Sequence, residues 1–358
     1  MLQKDLDFFS NKRVFITGHN GFKGTWLTQI MVRAGAEVAG FSLPDTNNDS
    51  HFNGLGLKKL ITHFEGDIRD EKTLKNCLNE FKPDIVFHLA AQALVKLAYA
   101  DPISTFSTNV MGSLNLLEAV NACSSVRSLV YITSDKCYEN VEWVWGYRET
   151  DPLGGHDPYS SSKAAAELLY SSYKRSYFDN KNEKFGSASA RAGNVIGGGD
   201  YSANRIVPDC IKAIRRGEAI KLRNPNSTRP WQHVLEPLSG YILLAMKLYQ
   251  NPNTYSKSWN FGPNAEEVRN VGYVAQKIVE IYGKGSVAKN FEVSNFHEAN
   301  LLQLNCDLAH HELDWHPRWS VSKTLETTAN WYRLVDNGES VREVTNMQIN
   351  DYFGITND

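Results

Sequence analysis

The stretch from residue 13 to residue 24 reads RVFITGHNGFKG and decides the fold of this 358-residue chain. Its first five residues form a short apolar run that is typical of a buried strand. Glycines follow at positions 18, 21 and 24, and residues 22–34 have the pattern of a helix. A glycine-rich turn between a strand and a helix lets a pyrophosphate approach the backbone and the free N–H groups of the helix start. The stretch therefore predicts a dinucleotide-binding turn at the start of an α/β domain.

Short apolar runs and helical patterns alternate after this turn. Further strands are predicted at 37–42, 61–64, 84–89, 129–133 and 185–190, and the clearest helices at 71–81, 104–122 and 159–176. Such alternation implies right-handed crossovers and a parallel sheet with helices on both faces. We therefore expect a Rossmann-type, doubly wound α/β fold.

The sequence pattern changes after Arg191: clusters of glycine and proline interrupt the chain, and strands are harder to identify. We expect residues 1–190, joined by about 231–260, to form the dinucleotide-binding domain. Residues 191–230 and 261–358 should form a smaller, mixed α/β domain that binds the substrate. The tail from residue 348 is mostly polar, and we expect it to be peripheral.

Composition argues against several classes of protein. Lys and Arg total 38 against 40 Asp and Glu, a formal charge of −2, so no surface for nucleic acid or an anionic membrane is indicated. No apolar run reaches the roughly 18 residues that span a bilayer, and the charged first ten residues do not resemble a signal peptide. The 5 cysteines lack CxxC spacing, which argues against disulfides and a zinc site. We expect a cytoplasmic protein without a metal.

The end of the second strand should contact the adenosine ribose of a dinucleotide. Ser42 stands there instead of the carboxylate usual for NAD, and no Lys or Arg lies between residues 40 and 50 to hold the 2′-phosphate of NADP. We therefore favour NAD. Asp67 and Ile68 follow the third strand, where they could contact the adenine; alternatively, Asp67 only caps the next helix. Lys23 could approach a phosphate or lie on a solvated helix face.

One of four YxxxK patterns in the chain, Tyr159 to Lys163, has the context of an active site. Pro158 marks a helix start, and Ser134 stands at a strand end upstream. Positions i and i+4 share a helix face, so Lys163 can lie beside the Tyr159 hydroxyl and lower its pKa. A tyrosinate placed this way removes a hydroxyl proton while the cofactor takes the hydride from the same carbon, and Ser134 can hydrogen-bond the same oxygen. We expect ordinary helix surface at the other three patterns, which begin at Tyr170, Tyr177 and Tyr273.

The cofactor residues and the chemical residues fall on one edge of the predicted sheet. Gly18, the segment 90–92 and Ser134 all follow strand ends. Ligands of open α/β sheets bind beyond the carboxyl ends of the strands. We therefore expect a single site.

These residues resemble the extended short-chain dehydrogenase/reductase family. The shared features are TGxxGxxG, Asp67 with Ile68, HLAA at 88–91, the Ser134, Tyr159 and Lys163 set, and Arg191. Within the family the chain is most similar to the sugar-nucleotide 4,6-dehydratases, in the branch that acts on CDP-glucose. The similar stretches are TSDKCYEN (133–140), EWVWGYRETDPLGGHDPYSSSK (142–163), RAGNVIGGGD (191–200), NRIVPDC (204–210) and RPWQHVLEPLSGY (229–241).

The resemblance implies a lyase reaction in deoxysugar synthesis, by analogy for lipopolysaccharide O-antigen. The sugar is oxidised at C4, water is eliminated across C5 and C6, and the hydride returns to C6. Carried over by position, Tyr159 is the C4 base supported by Lys163 and Ser134, and Asp135 is the acid that protonates the leaving C6 hydroxyl. Many related enzymes have Glu as the C5 base at the next position, where this chain has Lys136. We expect Asp135 and Lys136 to share a proton, so that a neutral Lys136 is the base; the alternative is that Lys136 only orients the sugar.

The resemblance also implies binding residues. Those expected at NAD are Gly18, His19, Asn20, Gly21, Phe22, Lys23, Gly24, Ser42, Asp67, Ile68, Ala90, Ala91, Gln92, Thr108, Tyr159, Lys163 and Arg191. Those expected at CDP-glucose are Gln92, Ser134, Asn194, Arg205, Ile206, Lys221, Arg223 and Arg229. Arg229 matches the pyrophosphate position, which suits a guanidinium fork. None of these residues taken alone explains selectivity for cytosine. Helices 104–122 and 159–176 would pair subunits in a homodimer or homotetramer.

Other functions fit part of the pattern. A sugar-nucleotide 4-epimerase needs Tyr159, Lys163 and NAD but no acid to expel a hydroxyl, so Asp135 and Lys136 argue against it. A 4,6-dehydratase for another nucleotide sugar stays open. A regulatory module that senses the dinucleotide needs no proton acceptor, so the complete Ser134, Tyr159 and Lys163 set argues against that function.

Overall fold

A computed structural model describes residues 3–289 and 301–355 and has a parallel sheet at its centre. Seven strands form that sheet in the order β10-β6-β5-β4-β1-β2-β3, and all their pairings are parallel. The strands, including four short ones outside the central sheet, are Arg13–Thr17 (β1), Glu37–Ser42 (β2), Thr62–Glu65 (β3), Ile85–His88 (β4), Ser128–Ile132 (β5), Gly186–Ala192 (β6), Val195–Ile196 (β7), Thr228–Arg229 (β8), Gln232–His233 (β9), Trp259–Phe261 (β10) and Arg269–Asn270 (β11). The predicted doubly wound sheet is confirmed, with strand boundaries within one or two residues of those expected.

Helices cover both faces of the sheet. They are Gln3–Leu6 (α1), Phe22–Arg33 (α2), His51–Gly54 (α3), Glu71–Phe81 (α4), Val95–Ala100 (α5), Pro102–Phe106 (α6), Gly112–Ala122 (α7), Pro158–Ser176 (α8), Ile206–Arg216 (α9), Leu235–Gln250 (α10), Pro252–Tyr255 (α11), Val271–Tyr282 (α12), Asp307–Leu313 (α13), Val321–Asp336 (α14) and Val341–Phe353 (α15). The helix predicted over 104–122 begins earlier, at Pro102, because Asp101 caps it, and a π-helical segment, Ser107–Met111, joins α6 to α7.

The alternation of side chains along each strand produces two apolar layers. Val14 and Ile16 of β1 face α2 and α10 and belong to the larger core, which contains Trp26. Phe15 points to the opposite face and packs in the layer formed with α4, α7 and α8. Successive residues of a strand point to opposite faces, so a strand buried on both sides is apolar throughout. That is why the short apolar runs of the sequence locate the strands correctly.

The later part of the chain contributes both to the sheet and to a group of helices beside it. Strand β10 extends the sheet next to β6, whereas α12 packs on α9 and α14. The division into two domains, with the boundaries given above, stays a prediction. No helix within residues 3–289 and 301–355 is long and apolar enough to cross a membrane. The same residues contain no group of three or more His, Cys, Asp or Glu side chains arranged to hold a metal ion.

The expectation that the tail is peripheral is wrong for α15. Ile349, Tyr352 and Phe353 are buried, and the Tyr352 hydroxyl donates to Oε2 of Glu236 over 2.6 Å. On its other side α15 contacts α2, where Nε2 of Gln29 donates to Oδ1 of Asn346 over 2.7 Å. The last helix of the described chain is therefore part of the core around the glycine-rich turn.

Candidate active site

A cleft of about 1790 Å³ opens at the carboxyl ends of β1, β4, β5 and β6. It is lined by the glycine-rich turn at one end, by residues 132–136 with Tyr159 and Lys163 at the centre, and by residues 192–224 with Arg229 at the other end. The cleft therefore brings part of the predicted cofactor residues together with the predicted chemical and nucleotide residues. The predicted cofactor residues that do not line it are His19, Asn20, Ser42, Asp67, Ile68, Ala90, Thr108 and Arg191.

The glycine-rich turn has the close packing that a pyrophosphate cradle needs. Gly18 has a left-handed backbone with φ of +70°, and a Cβ at this position would lie 2.8 Å from the backbone nitrogen of Ala90. A Cβ on Gly24 would lie 2.0 Å from the Gly18 carbonyl oxygen, so helix α2 can start against the turn only with glycine there. Gly21 begins α2 without a side-chain cap. The free N–H groups of that helix start face the cleft and fit an anion such as the pyrophosphate of a dinucleotide.

Two side chains of the turn bind the protein itself. The imidazole of His19 is buried, and its Nε2 lies 2.8 Å from Nδ1 of His63. Burial lowers the pKa of His19 to about 3, with a further contribution from His63, so the ring is neutral. Nδ2 of Asn20 donates to the Leu43 carbonyl over 2.8 Å and so ties the turn to the segment after β2. A cofactor contact of His19 stays a prediction, and its buried side chain leaves only its backbone for that contact.

At the adenosine end, Ser42 is buried at the end of β2. Asp67 binds the guanidinium of its neighbour Arg69, which lowers the pKa of the Asp67 carboxyl. The alternative that Asp67 caps the following helix is wrong, because Asp70 caps α4 by accepting from the Thr73 backbone over 3.1 Å. Adenine contacts of Asp67 and Ile68, and a cofactor contact of Thr108, stay predictions.

The chemical centre lies on a single turn of 3₁₀ helix, Asp135–Cys137, that follows β5. Ser134 begins this turn, and its Oγ donates to Oδ1 of Asp135 over 2.9 Å. Asp135 is only 1% exposed, and its Oδ2 has no hydrogen-bond partner in the described part of the chain. Nζ of Lys136 lies 3.5 Å from Oδ1 of Asp135. The unpartnered Oδ2 also lies against Gly193, where a Cβ would come within 2.1 Å of it.

Tyr159 and Lys163 occupy the first turns of α8, which Asp157 caps through the backbone N–H of Tyr159. Burial raises the pKa of Tyr159 to about 12, although a hydrogen bond with Ser134 and the charge of Arg205 act in the opposite direction. Burial also lowers the pKa of Lys163 to about 8. The expected lowering of the Tyr159 pKa by Lys163 is wrong, because desolvation of the phenol raises this pKa and the main opposing effects come from Ser134 and Arg205.

The copies of the YxxxK pattern lie in different surroundings. Tyr177 is 51% exposed, as expected for helix surface. Tyr170 is buried instead, stacks on Tyr131 with ring centroids 5.1 Å apart and donates to Ser187 Oγ over 3.0 Å. The surface prediction is wrong at Tyr170 because its helix face packs on β5 and β6.

Lys23 is the residue whose position the sequence left most open. Its Nζ points into the cleft 3.5 Å from the Tyr241 hydroxyl, so the solvated-face alternative is wrong. Burial lowers the pKa of Lys23 to about 7; Asp135 opposes this change, and Arg205, Lys163 and Lys136 add to it. Lys23 therefore lies within electrostatic reach of Asp135 and of three further basic side chains, Arg205, Lys163 and Lys136.

Arg191 lies behind the cleft, where its side chain supports the chemical centre. Its Nη2 donates to Oε2 of Glu167 over 2.8 Å, and both side chains are buried. Glu167 lies one helical turn after Lys163 on α8 and also accepts a hydrogen bond from the Thr133 hydroxyl, next to Ser134. Sequence reasoning missed Glu167, although its i+4 spacing from Lys163 was a usable signal. A cofactor contact of Arg191 stays a prediction.

The nucleotide end of the cleft is basic. The residues that line this end of the cleft include Asn194, Arg205, Ile206, Lys221, Arg223 and Arg229. Arg205 forms an ion pair of 2.9 Å with Asp200, and Nη1 of Arg229 donates to the Thr228 carbonyl over 2.7 Å. Gln92 also lines the cleft, and its Nε2 donates to Thr105 over 2.9 Å. The substrate roles of these residues stay predictions.

Comparisons with known proteins match both the sequence and the fold. A family model described as GDP-mannose 4,6 dehydratase matches residues 15–328. Over 355 residues the chain is 46% identical to the CDP-glucose 4,6-dehydratase of Salmonella typhimurium, and the match covers 98% of this chain and 99% of that protein.

Solved structures of similar fold contain NAD. The dTDP-glucose 4,6-dehydratase of Bacillus anthracis in complex with NAD matches with a TM-score of 0.76 at 21% identity, covering 91% of this chain and 98% of that one. The UDP-glucose 4-epimerase of Thermus thermophilus in complex with NAD matches with a TM-score of 0.76 at 26% identity, covering 90% of this chain and 99% of that one. The fold is therefore shared by dehydratases and epimerases, whereas the 46% sequence identity is to a dehydratase.

Proposed function

The chain belongs to the GDP-mannose 4,6 dehydratase family within the extended short-chain dehydrogenase/reductases, and we propose that it converts CDP-glucose to CDP-4-dehydro-6-deoxyglucose and water. The 46% identity to a CDP-glucose 4,6-dehydratase over nearly the whole chain supports the substrate. The structural observation that carries the reaction type is the buried Asp135 carboxyl, with one oxygen unpartnered, beside the Tyr159 hydroxyl. An enzyme that only oxidises and re-reduces C4 has no use for such an acid.

NAD is the cofactor. The unpartnered start of α2 and the crowded glycines hold its pyrophosphate, and the cleft continues from there to Tyr159. When bound, NAD would supply the redox chemistry, with the hydride leaving C4 of the sugar and later returning to C6. Everything else in the reaction is proton transfer and positioning by the chain's own residues.

Tyr159 removes the proton from the C4 hydroxyl. Because burial favours the neutral phenol, the phenolate needs nearby positive charge and hydrogen bonds. Ser134 and Arg205 stabilise it, and Lys163, held by burial on the same helix face, is the nearest lysine along α8. Oxidation at C4 acidifies the proton at C5, which prepares the sugar for elimination.

Asp135 gives a proton to the leaving C6 hydroxyl, and Lys136 removes the proton from C5 and returns one to C5 when the hydride reaches C6. The 3.5 Å contact between Lys136 Nζ and Asp135 Oδ1 supports one proton shared by the pair. A neutral Lys136 leaves Asp135 protonated, so one arrangement provides both the base and the acid. The alternative is that Lys136 only orients the sugar.

Ser134 connects the two proton-transfer groups. Over one turnover Tyr159 gains the O4 proton and Asp135 loses one, so the site is reset when a proton passes from the first to the second. The Ser134 hydroxyl hydrogen-bonds Tyr159 and donates to Asp135 over 2.9 Å. It is therefore positioned to relay that proton without opening the site to water.

The proposal is tested with the purified protein, NAD and CDP-glucose, with UDP-, dTDP- and GDP-glucose in parallel tubes. We expect CDP-glucose to lose one water, measured by mass, without net NADH. Asp135→Asn should lower water loss by about 10²–10⁴-fold while NADH still forms, whereas Tyr159→Phe should abolish both. Isomerisation of the sugar at unchanged mass would show an epimerase instead.

The role of Lys136 needs a separate measurement. In deuterated water the enzyme should place deuterium at C5 of the product. Lys136→Met and Lys136→Arg should both lose this activity if Lys136 is the base, because neither side chain accepts a proton at neutral pH. Full activity of Lys136→Arg would show that the residue only orients the sugar.

We also propose that the enzyme is a cytoplasmic homodimer paired through α6–α7 and α8. Large apolar side chains on these helices are exposed, with Ile103 83%, Met111 52% and Leu168 58% accessible. An apolar face of this kind is normally covered by a second subunit. Leu168→Glu should give a monomer by light scattering after size exclusion, whereas Tyr177→Glu, at the end of α8, serves as the matched control. An unchanged dimer in Leu168→Glu would place the interface elsewhere.

A further inference from the structure

The nucleotide end of the cleft contains a carboxylate that the reaction described above does not use. Asp209 lies in the first turn of α9 and lines the cleft together with Lys212 and Arg216 of the same helix. It is half-buried, and burial raises the pKa of its carboxyl, whereas a hydrogen bond from the Asn204 backbone N–H lowers it. A partly desolvated carboxylate in a basic site for a diphosphate needs a physical reason.

Other acidic side chains at this end are accounted for. Asp200 forms the ion pair with Arg205 and is buried, and Glu218 is exposed at the end of α9. Asp209 has no basic side chain within ion-pairing distance among the described residues. The charges of Lys212, Arg223 and Lys96 nevertheless lower the pKa of its carboxyl from a longer distance. The Asp209 carboxylate is therefore a hydrogen-bond acceptor in the cleft, and its negative charge is balanced by basic side chains that do not contact it.

The substrate has three parts, and the position of Asp209 suits one of them. The sugar must reach Tyr159, and the diphosphate prefers the arginines and is repelled by a carboxylate. The base is the part furthest from the sugar, and in this arrangement it would lie against α9 and residues 218–224, which line the cleft. Among the groups that pyrimidine bases carry, the exocyclic amine is the one that a carboxylate binds well. Asp and Glu side chains, for example, accept a hydrogen bond from the N4 amino group of cytosine.

We infer that Asp209 selects cytosine by accepting a hydrogen bond from its exocyclic amine and by repelling the O4 oxygen that uracil and thymine carry at the same ring position. This inference rests on the proposed function and names the residue that sets its nucleotide preference. Asn204 positions Asp209: its left-handed backbone, with φ of +65°, directs its N–H to the carboxylate. Lys96 Nζ in turn donates to Asn204 Oδ1 over 2.8 Å.

The test compares Asp209→Asn with the matched control Glu339→Gln, which removes an exposed carboxylate outside the residues that line the cleft. The affinities for CDP and UDP are measured by calorimetry, and kcat/KM is measured for CDP-glucose and UDP-glucose. The amide of Asn can turn to donate to O4 of uracil, so we expect Asp209→Asn to reduce the CDP-to-UDP preference by about 10- to 100-fold. The change should appear in KM, with kcat for CDP-glucose nearly unchanged, and Glu339→Gln should keep the wild-type preference.

The binding ratio keeps this inference separate from the proposed function. CDP and UDP affinities require no turnover, so they test Asp209 even if CDP-glucose is not dehydrated. An unchanged ratio in Asp209→Asn, or an equal loss of both affinities, would overturn the inference and leave Asp209 a structural partner of Asn204. If Asp209→Asn does not fold, Asp209→Ser replaces it, with the same expected loss of preference. A wild-type protein that binds CDP and UDP equally would also overturn the inference.

Discussion

Replacing Gly193 with alanine tests the role of Asp135 without changing any ionisable group. A Cβ on Gly193 would lie 2.1 Å from Oδ2 of Asp135 and 2.6 Å from its carboxyl carbon. Backbone strain does not contribute, because Gly193 has no left-handed φ. The substitution therefore acts by pushing the carboxyl of the proposed acid away from its position.

The size of the effect follows from the distances. Ordinary van der Waals contact begins at 3.4 Å, so the carboxyl oxygen must move by the difference, about 1.3 Å. A displacement of about 1 Å at a reacting group can cost about 10²-fold in rate. This corresponds to about 2.7 kcal/mol of activation free energy. We expect Gly193→Ala to lower the rate of water loss by about that factor.

Two measurements on the same reaction, NADH formation and water loss, distinguish this effect from a general loss of structure. Oxidation at C4 depends on Tyr159, so NADH should still form in Gly193→Ala and should now accumulate instead of being consumed. Water loss is followed by the mass of the product. Gly262→Ala is the matched control, because its Cβ would meet Cys306 Sγ at 3.4 Å and Leu304 side-chain carbons at 3.5 and 3.8 Å, which are ordinary contacts. A Gly193→Ala enzyme with the wild-type rate of water loss, or one that loses oxidation and elimination equally, would refute the role given to Asp135.

Three further predictions concern stability and cofactor binding. Gly24→Ala places a Cβ 2.0 Å from the Gly18 carbonyl and should weaken NADH binding, followed by fluorescence, far more than Gly21→Ala, whose Cβ would lie at 3.3 Å; equal affinities would contradict the cradle. Glu167→Met leaves the buried Arg191 charge unpaired and should lower the free energy of unfolding in urea by about 3–5 kcal/mol, and the double variant Glu167→Met/Arg191→Met should recover most of it. Burial lowers the pKa of His51, His88 and His233 from 6.5 to about 3. Below pH 6.5 the unfolded chain therefore binds protons that the folded protein does not, so stability is complete above that pH and falls toward pH 3, by about 2 kcal/mol for each histidine at pH 5. A denaturation midpoint that stays constant from pH 7 to 5 would contradict this.

The parts of the fold that the sequence reveals are those where burial is symmetric. Residues of β1 and β2 are buried on both faces, so a run of apolar letters is enough to locate them. The glycine-rich turn is also visible, because the backbone approaches itself there and only glycine fits. The same reasoning placed Ser134, Tyr159 and Lys163 correctly at one edge of the sheet.

The failures have a common physical cause, which is contact with elements distant in sequence. Helix α15 buries Val344, Thr345, Gln348, Ile349 and Tyr352, at helical spacing that disappears when the segment is examined only from residue 348. Lys23 has the charge of a surface residue, and only the position of Tyr241 on α10 shows that it points into the cleft. A local sequence pattern cannot show such contacts, because the residue that each side chain contacts depends on how distant elements of the fold are arranged.

The docking of α15 on α2 has a consequence for the kinetics of folding. The hydrogen bond between Gln29 and Asn346 joins residues 317 positions apart, and Arg33 Nη2 donates to Asn350 Oδ1 over 2.6 Å across the same separation. Contacts of such long range are closed late, because the entropy of ordering the intervening chain is lost before they form. The first βα unit of the protein therefore acquires its final packing only after nearly all of the chain has left the ribosome, and until then the surface that α15 covers stays exposed.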